Sequence, residues 1–179
     1  MAAQPTGYFQ GPELVADAIP TDVTIRPATH MDAEQVASVL LASRKAFVAF
    51  APLAHADDDV RRWIANVLIP AGGVTVAVTD DSHAGVVGMM AVSQHDGVGW
   101  IDQLYLHPSS VGRGIGSRFI RSAKESLGSP IRLYTFQENA GARRFYERHG
   151  FRATAFSDGA DNEEHSPDVL YEWTDLASD

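Results

Sequence analysis

A glycine-rich turn, Val111-Gly112-Arg113-Gly114-Ile115-Gly116, separates two stretches of opposite hydrophobic periodicity. The residues before it, from Gly99 to His107, alternate as in a β-strand. The apolar residues after it recur at helical spacing and share one face: Ile115, Phe119, Ile120, Ala123 and Leu127. Because the first N–H groups of a helix lack intrahelical acceptors, they favour an anion. The turn therefore predicts an anion site between a strand and a helix, with a flexible connection that binds nothing as the alternative.

The remaining periodicity predicts an α+β fold with a mixed sheet. The predicted strands cover residues 23–27, 74–78, 85–92, 99–107, 131–136, 151–156 and 169–173. A first helix is predicted after Asp32, which would cap it, and it carries Val36, Val39 and Leu40 on one face. Further helical turns are predicted over 44–50 and 57–69. Two later helices are predicted, from about Gly116 to a stop at Gly128 and over 139–149. Short turns at 80–82 and 95–97 predict an antiparallel meander. Residues 1–20 contain several Pro and Gly and are predicted to form an arm, so that a single domain covers 21–179.

The composition excludes several classes of protein. The chain has no cysteine, which removes disulfides, thiolate metal sites and cysteine nucleophiles. A net charge of −9 argues against nucleic acid and favours a cationic substrate. No stretch approaches the roughly eighteen apolar residues of a membrane span, and no secretory signal is recognised, so we expect a soluble, cytoplasmic protein. Without a His-x-x-x-His pair or clustered carboxylates, a catalytic metal is not expected.

The glycine string fits two common phosphate loops poorly. It has no Gly-Lys-Ser/Thr end, as a P-loop requires, and its third glycine is displaced from the dinucleotide-binding pattern. Arg132 occupies the region in which an acidic residue would contact a nicotinamide dinucleotide. A different phosphate-containing ligand is therefore favoured, although a nucleotide-binding regulatory domain stays open as an alternative.

A second motif lies downstream, at Asn139-Ala140-Gly141-Ala142-Arg143-Arg144-Phe145-Tyr146-Glu147-Arg148-His149-Gly150-Phe151. It resembles the pattern Asn-x-x-Ala-x-x-Phe-Tyr-x-x-x-Gly-Phe of the GNAT (GCN5-related) N-acetyltransferase superfamily at every fixed position. The segment Leu104-Tyr105-Leu106-His107-Pro108 with the glycine turn resembles that family's acyl-CoA-binding segment, and Ile25-Arg26-Pro27 resembles its first strand. The resemblance runs from Val23 to Trp173 and implies the α+β GNAT fold, in which helices flank a central, twisted, mixed and mostly antiparallel sheet.

The resemblance implies acetyl-CoA as co-substrate. The pyrophosphate would lie against the backbone amides of Val111, Gly112, Arg113, Gly114, Ile115, Gly116 and Ser117, with Arg113 or Arg118 adding charge. Main-chain groups of Leu104, Tyr105 and Leu106 would contact the thioester and pantetheine, and Asn139 would reach the pantetheine arm besides capping its helix. Val111 departs from the family's Gln or Arg, which predicts weaker anchoring.

The resemblance also implies a direct transfer of the acetyl group to a primary amine in a ternary complex. Tyr146 matches the tyrosine that protonates the departing thiolate, although the residue pattern alone favours core packing for it. The general base stays open between water, Asp102 and Glu138, each of which also fits a solvated charge. Tyr134 stands where some N-terminal acetyltransferases have a catalytic glutamate, which argues against their base.

Other consequences of the resemblance are expectations. The acidic segment 158–168 would border the acceptor site, and a homodimer is common in the family. The acceptor itself, whether a small metabolite or a peptide amine, is not specified. A non-catalytic acyl-CoA-binding module is the rival function.

Overall fold

The structure, a computed structural model, describes residues 23–51, 53–79 and 85–175. The predicted N-terminal arm and the predicted turn at 80–82 lie outside these ranges. The described strands are β1 (Val23–Pro27), β2 (Val74–Thr79), β3 (Val86–His95), β4 (Val98–Leu106), β5 (Ile131–Phe136), β6 (Arg152–Phe156) and β7 (Asp168–Trp173). The helices are α1 (Ala33–Phe47), α2 (Asp57–Trp63), α3 (Ile115–Leu127) and α4 (Ala140–Arg148).

The strands form one seven-stranded mixed sheet in the order β1-β2-β3-β4-β5-β7-β6. Neighbouring strands are antiparallel except for β4 and β5, which are parallel and are linked by the crossover through α3. The predicted α+β class, the meander and the closing hairpin of β6 and β7 are confirmed.

Two predicted helix boundaries differ from the structure. The turns expected from Arg44 to Phe50 are not separate, because α1 continues through Arg44 and ends at Phe47. The amide of Val48 still donates to the carbonyl of Arg44, at 2.9 Å, and closes the last turn. The second expected helix begins at Asp57, but its middle is a π-helical segment, Ile64–Leu68, and it ends in a short turn at Ile69–Ala71.

Asp32 fixes the corner between β1 and α1. It occupies the N-cap position of α1, as expected, but its carboxylate accepts hydrogen bonds from the backbone N–H of Thr29 (2.7 Å) and from the guanidinium of Arg26 (2.8 Å). The hydrogen bonds from Arg26 hold the pKa of this buried carboxyl well below its usual range. The residue thus joins strand to helix as well as starting the helix.

The helices pack on opposite faces of the sheet. Consecutive residues of a strand point to opposite faces, and Met89 contacts the cluster formed with α1 and α2, whereas Met90 belongs to the cluster formed with α3 and α4. Both methionines are almost fully buried. The sheet is therefore covered on both sides, with one apolar core on each.

Strands β4 and β5 diverge soon after they meet. They pair at Gly99 with Ile131 and at Trp100 with Arg132, although β4 continues to Leu106 and β5 to Phe136. On the other side of β4, the pairing with β3 shifts by one residue at Asp102, which forms a β-bulge. The divergence opens the middle of the sheet at the carboxyl end of β4, directly before the glycine turn.

Candidate active site

A cavity of about 510 Å³ lies at this open end of β4. Its walls come from the end of α1, the end of β4, the glycine turn with the start of α3, and α4 with the residue that caps it. The cavity is more apolar than polar in its lining, and it is open to solvent. A site of this size and composition is typical of one that binds a small molecule.

The structure brings nearly all of the predicted acyl-CoA residues to this cavity. Those that line it are Leu104, Tyr105, Leu106, Val111, Gly112, Gly114, Ile115, Gly116, Ser117, Asn139 and Tyr146. Arg113 is exposed and is not among the lining residues, and the predicted base Asp102 is not among them either. Which of these residues contact a ligand stays a prediction.

The glycine turn has the backbone geometry that an anion site needs. Gly112 and Gly114 have positive φ angles of 82° and 74°, which L side chains rarely adopt, and Gly114 is the N-cap of α3. The first bond of the helix runs from the N–H of Arg118 to the carbonyl of Gly114. The amides of Ile115, Gly116 and Ser117 precede that bond and line the cavity wall, so they can donate to a bound anion.

Gly116 has a different function in the turn. A Cβ atom there would lie 3.0 Å from Cζ of Phe145, which is closer than van der Waals contact allows. Its missing side chain therefore lets α3 and α4 approach each other beside the cavity.

The cations around the cavity differ from those expected. Arg118 donates its Nη1 to the carbonyl of Val23, at 2.6 Å, so its guanidinium is directed to β1. Arg148 lines the cavity instead, from the last turn of α4. It falls at a variable position of the second motif, so the motif offers no reason to select it.

Tyr146 is buried, with 7% of its surface exposed, yet it forms part of the cavity wall. Burial raises the pKa of its phenol well above the ordinary value, and nearby Tyr105 raises it further. The ring packs against Phe145, Phe151 and Tyr171, with centroid distances of 5.3, 5.8 and 6.2 Å. The phenol is thus protonated near pH 7 and held in position by aromatic contacts.

Asn139 combines the two functions expected of it as a capping and cavity residue. Its Oδ1 accepts a hydrogen bond of 3.0 Å from the N–H of Ala142, which makes it the N-cap of α4. Capping uses the carbonyl oxygen of a side chain whose amide nitrogen can still donate, and Asn139 is also one of the residues that line the cavity.

The candidate bases lie outside the cavity wall. Asp102 is an exposed residue whose Oδ1 accepts a hydrogen bond of 3.0 Å from Ser93, and partial burial of the carboxylate raises its pKa. Glu138 is exposed. Tyr134, 57% exposed, stacks on Trp100 at a centroid distance of 5.9 Å and is also absent from the cavity wall.

The acidic segment between β6 and β7 is partly neutralised by basic residues. Glu164 accepts a hydrogen bond of 2.9 Å from Arg44 at the end of α1, and Glu163 lies 3.2 Å from His55. Arg44 also donates to the carbonyl of Ala51 and lies over the ring of Phe136. The segment therefore contacts the connection between α1 and α2, and its predicted acidity toward an acceptor is reduced at Glu164, which pairs with Arg44.

Among the described residues, three or more His, Asp or Glu side chains are nowhere grouped as a metal site would require. In the same part of the chain, none of the helices is sufficiently long and apolar to span a membrane.

Solved structures with the same fold include several acetyltransferases. The apo form of YjaB from Escherichia coli superposes with a TM-score of 0.67 at 22% identity, over 84% of this chain and 97% of that one. The PaiA N-acetyltransferase from Thermoplasma acidophilum, solved in complex with coenzyme A, has a TM-score of 0.64 at 19% identity, over 86% and 99% of the two chains. Ard1 from Thermoplasma volcanium has a TM-score of 0.63 at 20% identity, over 87% and 99%.

Sequence comparison agrees with these structures. None of the curated proteins matches the chain, but residues 40–151 match the Acetyltransferase (GNAT) family. This match includes the glycine turn, the end of β4 and the whole of the second motif. With the GNAT fold and both family motifs on one cavity, the chain belongs to the GNAT acetyltransferase family.

Proposed function

We propose that this protein transfers the acetyl group of acetyl-CoA to a primary amine. The observation that carries the proposal is that the glycine turn and the buried phenol of Tyr146 line the same cavity. The turn offers helix N-terminal amides to a pyrophosphate, and the phenol offers a proton to a leaving thiolate. The coenzyme A complex of the PaiA acetyltransferase, a protein of the same fold, supports this choice of co-substrate.

The reaction needs no covalent enzyme intermediate. The neutral amine nitrogen attacks the carbonyl carbon of the thioester, and the tetrahedral adduct collapses as the C–S bond breaks. Tyr146 gives its proton to the departing sulfur and regains one from solvent, while the ammonium proton of the adduct passes to water or Asp102. The products are the N-acetyl amine and the free thiol of CoA.

The acceptor class follows from charge. The chain carries a net charge of −9, which favours the approach of cationic amines over anionic ones. An amine attacks only when it is neutral, so a base must remove its proton at the site. The raised pKa of Asp102, caused by partial burial, makes this carboxylate a better proton acceptor than an ordinary aspartate.

A screen of primary amines with acetyl-CoA tests the proposal. The purified chain would be incubated with polyamines, amino acids, aminoglycosides and short peptides, and the release of free thiol would be followed. We expect amine-dependent thiol release for at least one cationic class. Acetyl-CoA binding without thiol release across the whole panel would contradict the enzymatic proposal and favour a non-catalytic acyl-CoA-binding module.

A further inference from the structure

A side-chain hydrogen bond joins α3 to α4 beside the cavity. The Oγ of Ser117 lies 3.1 Å from Nε2 of His149. Ser117 is in the first turn of α3 and lines the cavity, and His149 caps the end of α4 directly after Arg148, which also lines it. The imidazole therefore reaches the cavity through a hydroxyl group.

His149 is in an environment that disfavours its charged form. The ring is partly buried and packs on Phe145 at a centroid distance of 4.7 Å. Lys124 of α3 donates its Nζ to the backbone carbonyl of His149, at 2.7 Å, and Arg148 precedes it on α4. Burial is the main cause that lowers the pKa of His149, and the charges of Lys124 and Arg148 lower it further. The ring is therefore neutral near pH 7 when the cavity holds no anion.

Protonation of His149 would change what Ser117 can do. A neutral imidazole either donates or accepts at Nε2, according to its tautomer, but a protonated one donates from both nitrogens. The Nε2–H of the imidazolium then donates to the Ser117 oxygen. The hydroxyl hydrogen of Ser117 must therefore donate to a different acceptor. The cavity is the adjacent space in which such an acceptor can lie.

We propose that His149 positions the Ser117 hydroxyl to donate to the pyrophosphate of acyl-CoA and takes up a proton when that pyrophosphate binds. The proposal rests on the acyl-CoA site proposed above. A pyrophosphate carries two negative charges, which offset the influence of Lys124 and Arg148 and stabilise the imidazolium. This arrangement would supply a side-chain hydrogen-bond donor in place of the Gln or Arg that the family has at Val111.

The sign of the pH dependence follows from linkage. Because the bound state holds more protons than the free state, affinity rises as pH falls through the range between the two pKa values of His149. A shift of about one pKa unit changes affinity on the order of tenfold at most. We therefore expect the Kd to be about threefold to tenfold lower at pH 6 than at pH 8.

Isothermal titration calorimetry with dephospho-CoA tests the proposal. This probe keeps the pyrophosphate but lacks the ribose phosphate monoester, whose own titration near pH 6 would obscure the result. Titrations at each pH in two buffers of different ionisation enthalpy give the number of protons taken up. For the wild type we expect tighter binding at pH 6 and a net uptake of protons.

Two variants and a control separate the outcomes. His149→Gln keeps a side-chain donor for Ser117 but cannot take up a proton, so its Kd should not improve between pH 8 and pH 6 and its proton uptake on binding should be lost. Ser117→Ala should weaken binding about threefold to tenfold at pH 6. His30→Gln, at an exposed histidine before α1, should behave as the wild type. Circular dichroism would establish that each variant is folded.

Several results would overturn the inference. Equal pH dependence and equal proton uptake in the wild type and His149→Gln would exclude His149 as the proton acceptor. Unchanged affinity of Ser117→Ala at pH 6 would exclude the positioning of the hydroxyl. Failure of the wild type to bind dephospho-CoA or acetyl-CoA at either pH would be a different result, because it would overturn the proposed acyl-CoA site itself.

Discussion

At the scale of single residues, Tyr146 combines deep burial with access to the cavity. Replacing it with Phe removes the proton donor and keeps the ring that packs on Phe151 and Tyr171. General acids of this kind contribute about 10²- to 10⁴-fold to the rate. We therefore expect Tyr146→Phe to lower kcat by about a hundredfold or more. The measurement is thiol release with an amine found in the screen.

The Kd of acetyl-CoA serves as the control for this variant. Binding should change by less than about twofold, because the hydroxyl acts on the leaving group and not on the ground state. Unaltered kcat in Tyr146→Phe would remove the residue from the mechanism.

Gly114 offers a second test at this scale. Gly114→Ala places a side chain at a φ of 74° and next to the amides that face the cavity. We expect a loss of about 1–2 kcal/mol in stability from the strained backbone and a loss of about tenfold in acetyl-CoA affinity from the displaced donors. Chemical denaturation and calorimetry would measure the two effects.

The other end of α3 provides the matched control. Gly128 has a φ of 71° and caps the helix, and a Cβ atom at this position would meet no other atom of the described residues within 4 Å. Gly128→Ala should therefore cost at least as much stability and leave acetyl-CoA affinity unchanged. Equal losses of acetyl-CoA affinity in Gly114→Ala and Gly128→Ala would mean that the glycine turn affects binding only through the stability of the fold.

Sequence reasoning at the residue scale selected residues that line the cavity where the motif is local. Asn139 and Tyr146 stand at fixed positions of one short pattern, and both line the cavity. Ser43, Phe47 and Val48 also line it, but they come from α1 and its end, far from the turn in the chain. Contacts made by tertiary packing leave no periodic signal, which is why α1 was not predicted to contribute.

At the scale of elements, Arg44 ties the end of α1 to the segment between β6 and β7. Only 6% of the surface of Arg44 is exposed to solvent, and 20% of the surface of the Glu164 side chain is exposed. Glu164→Gln would leave the guanidinium buried without its counter-charge, so we expect a loss of about 1–3 kcal/mol in unfolding free energy. Urea denaturation would measure it.

The neighbouring acidic residue is a suitable comparison for this variant. Glu163 pairs with His55, and its side chain is 74% exposed. Glu163→Gln should change the unfolding free energy by less than about 0.5 kcal/mol, because solvent screens exposed pairs. Equal changes in unfolding free energy for Glu164→Gln and Glu163→Gln would show that burial of the Arg44–Glu164 pair does not increase its contribution to stability.

Prediction of the elements themselves depended on periodicity and turn residues. The bounds of β5 were predicted correctly, since Gly128 and Pro130 precede it and the Asn139 cap follows. The π-helical segment in the second helix was missed, because a π turn changes the hydrogen-bond register without changing composition. The divergence of β4 from β5 was not visible either, as pairing partners are set by the whole sheet.

At the scale of the whole molecule, the cavity joins parts of the chain that belong to both cores. Its lining includes Tyr105, which packs on the core on the side of α1, and Ile115 and Tyr146, which belong to the core on the side of α3 and α4. Acetyl-CoA at 100 times its Kd should stabilise the folded state by about 2.7 kcal/mol. For a chain of this size we expect the Tm to rise by about 5–10 °C.

A thermal unfolding series with several ligands measures this effect. NAD and ATP at the same concentration should leave the Tm unchanged, because the glycine turn does not match their loops. A rise in Tm with NAD or ATP but not with acetyl-CoA would contradict acyl-CoA binding and favour a nucleotide-binding domain.

The order of the last strands has a consequence for synthesis on the ribosome. Within the described part of the chain, β6 pairs with β7 alone, and β7 lies between β5 and β6. Tyr171 of β7 also supports α4, through the ring of Tyr146 and a hydrogen bond to Glu147. A nascent chain that has emerged only as far as β6 therefore exposes an edge of β5 and an unsupported α4. Helix α4 gains this support only when β7, which is synthesised after it, inserts between β5 and β6.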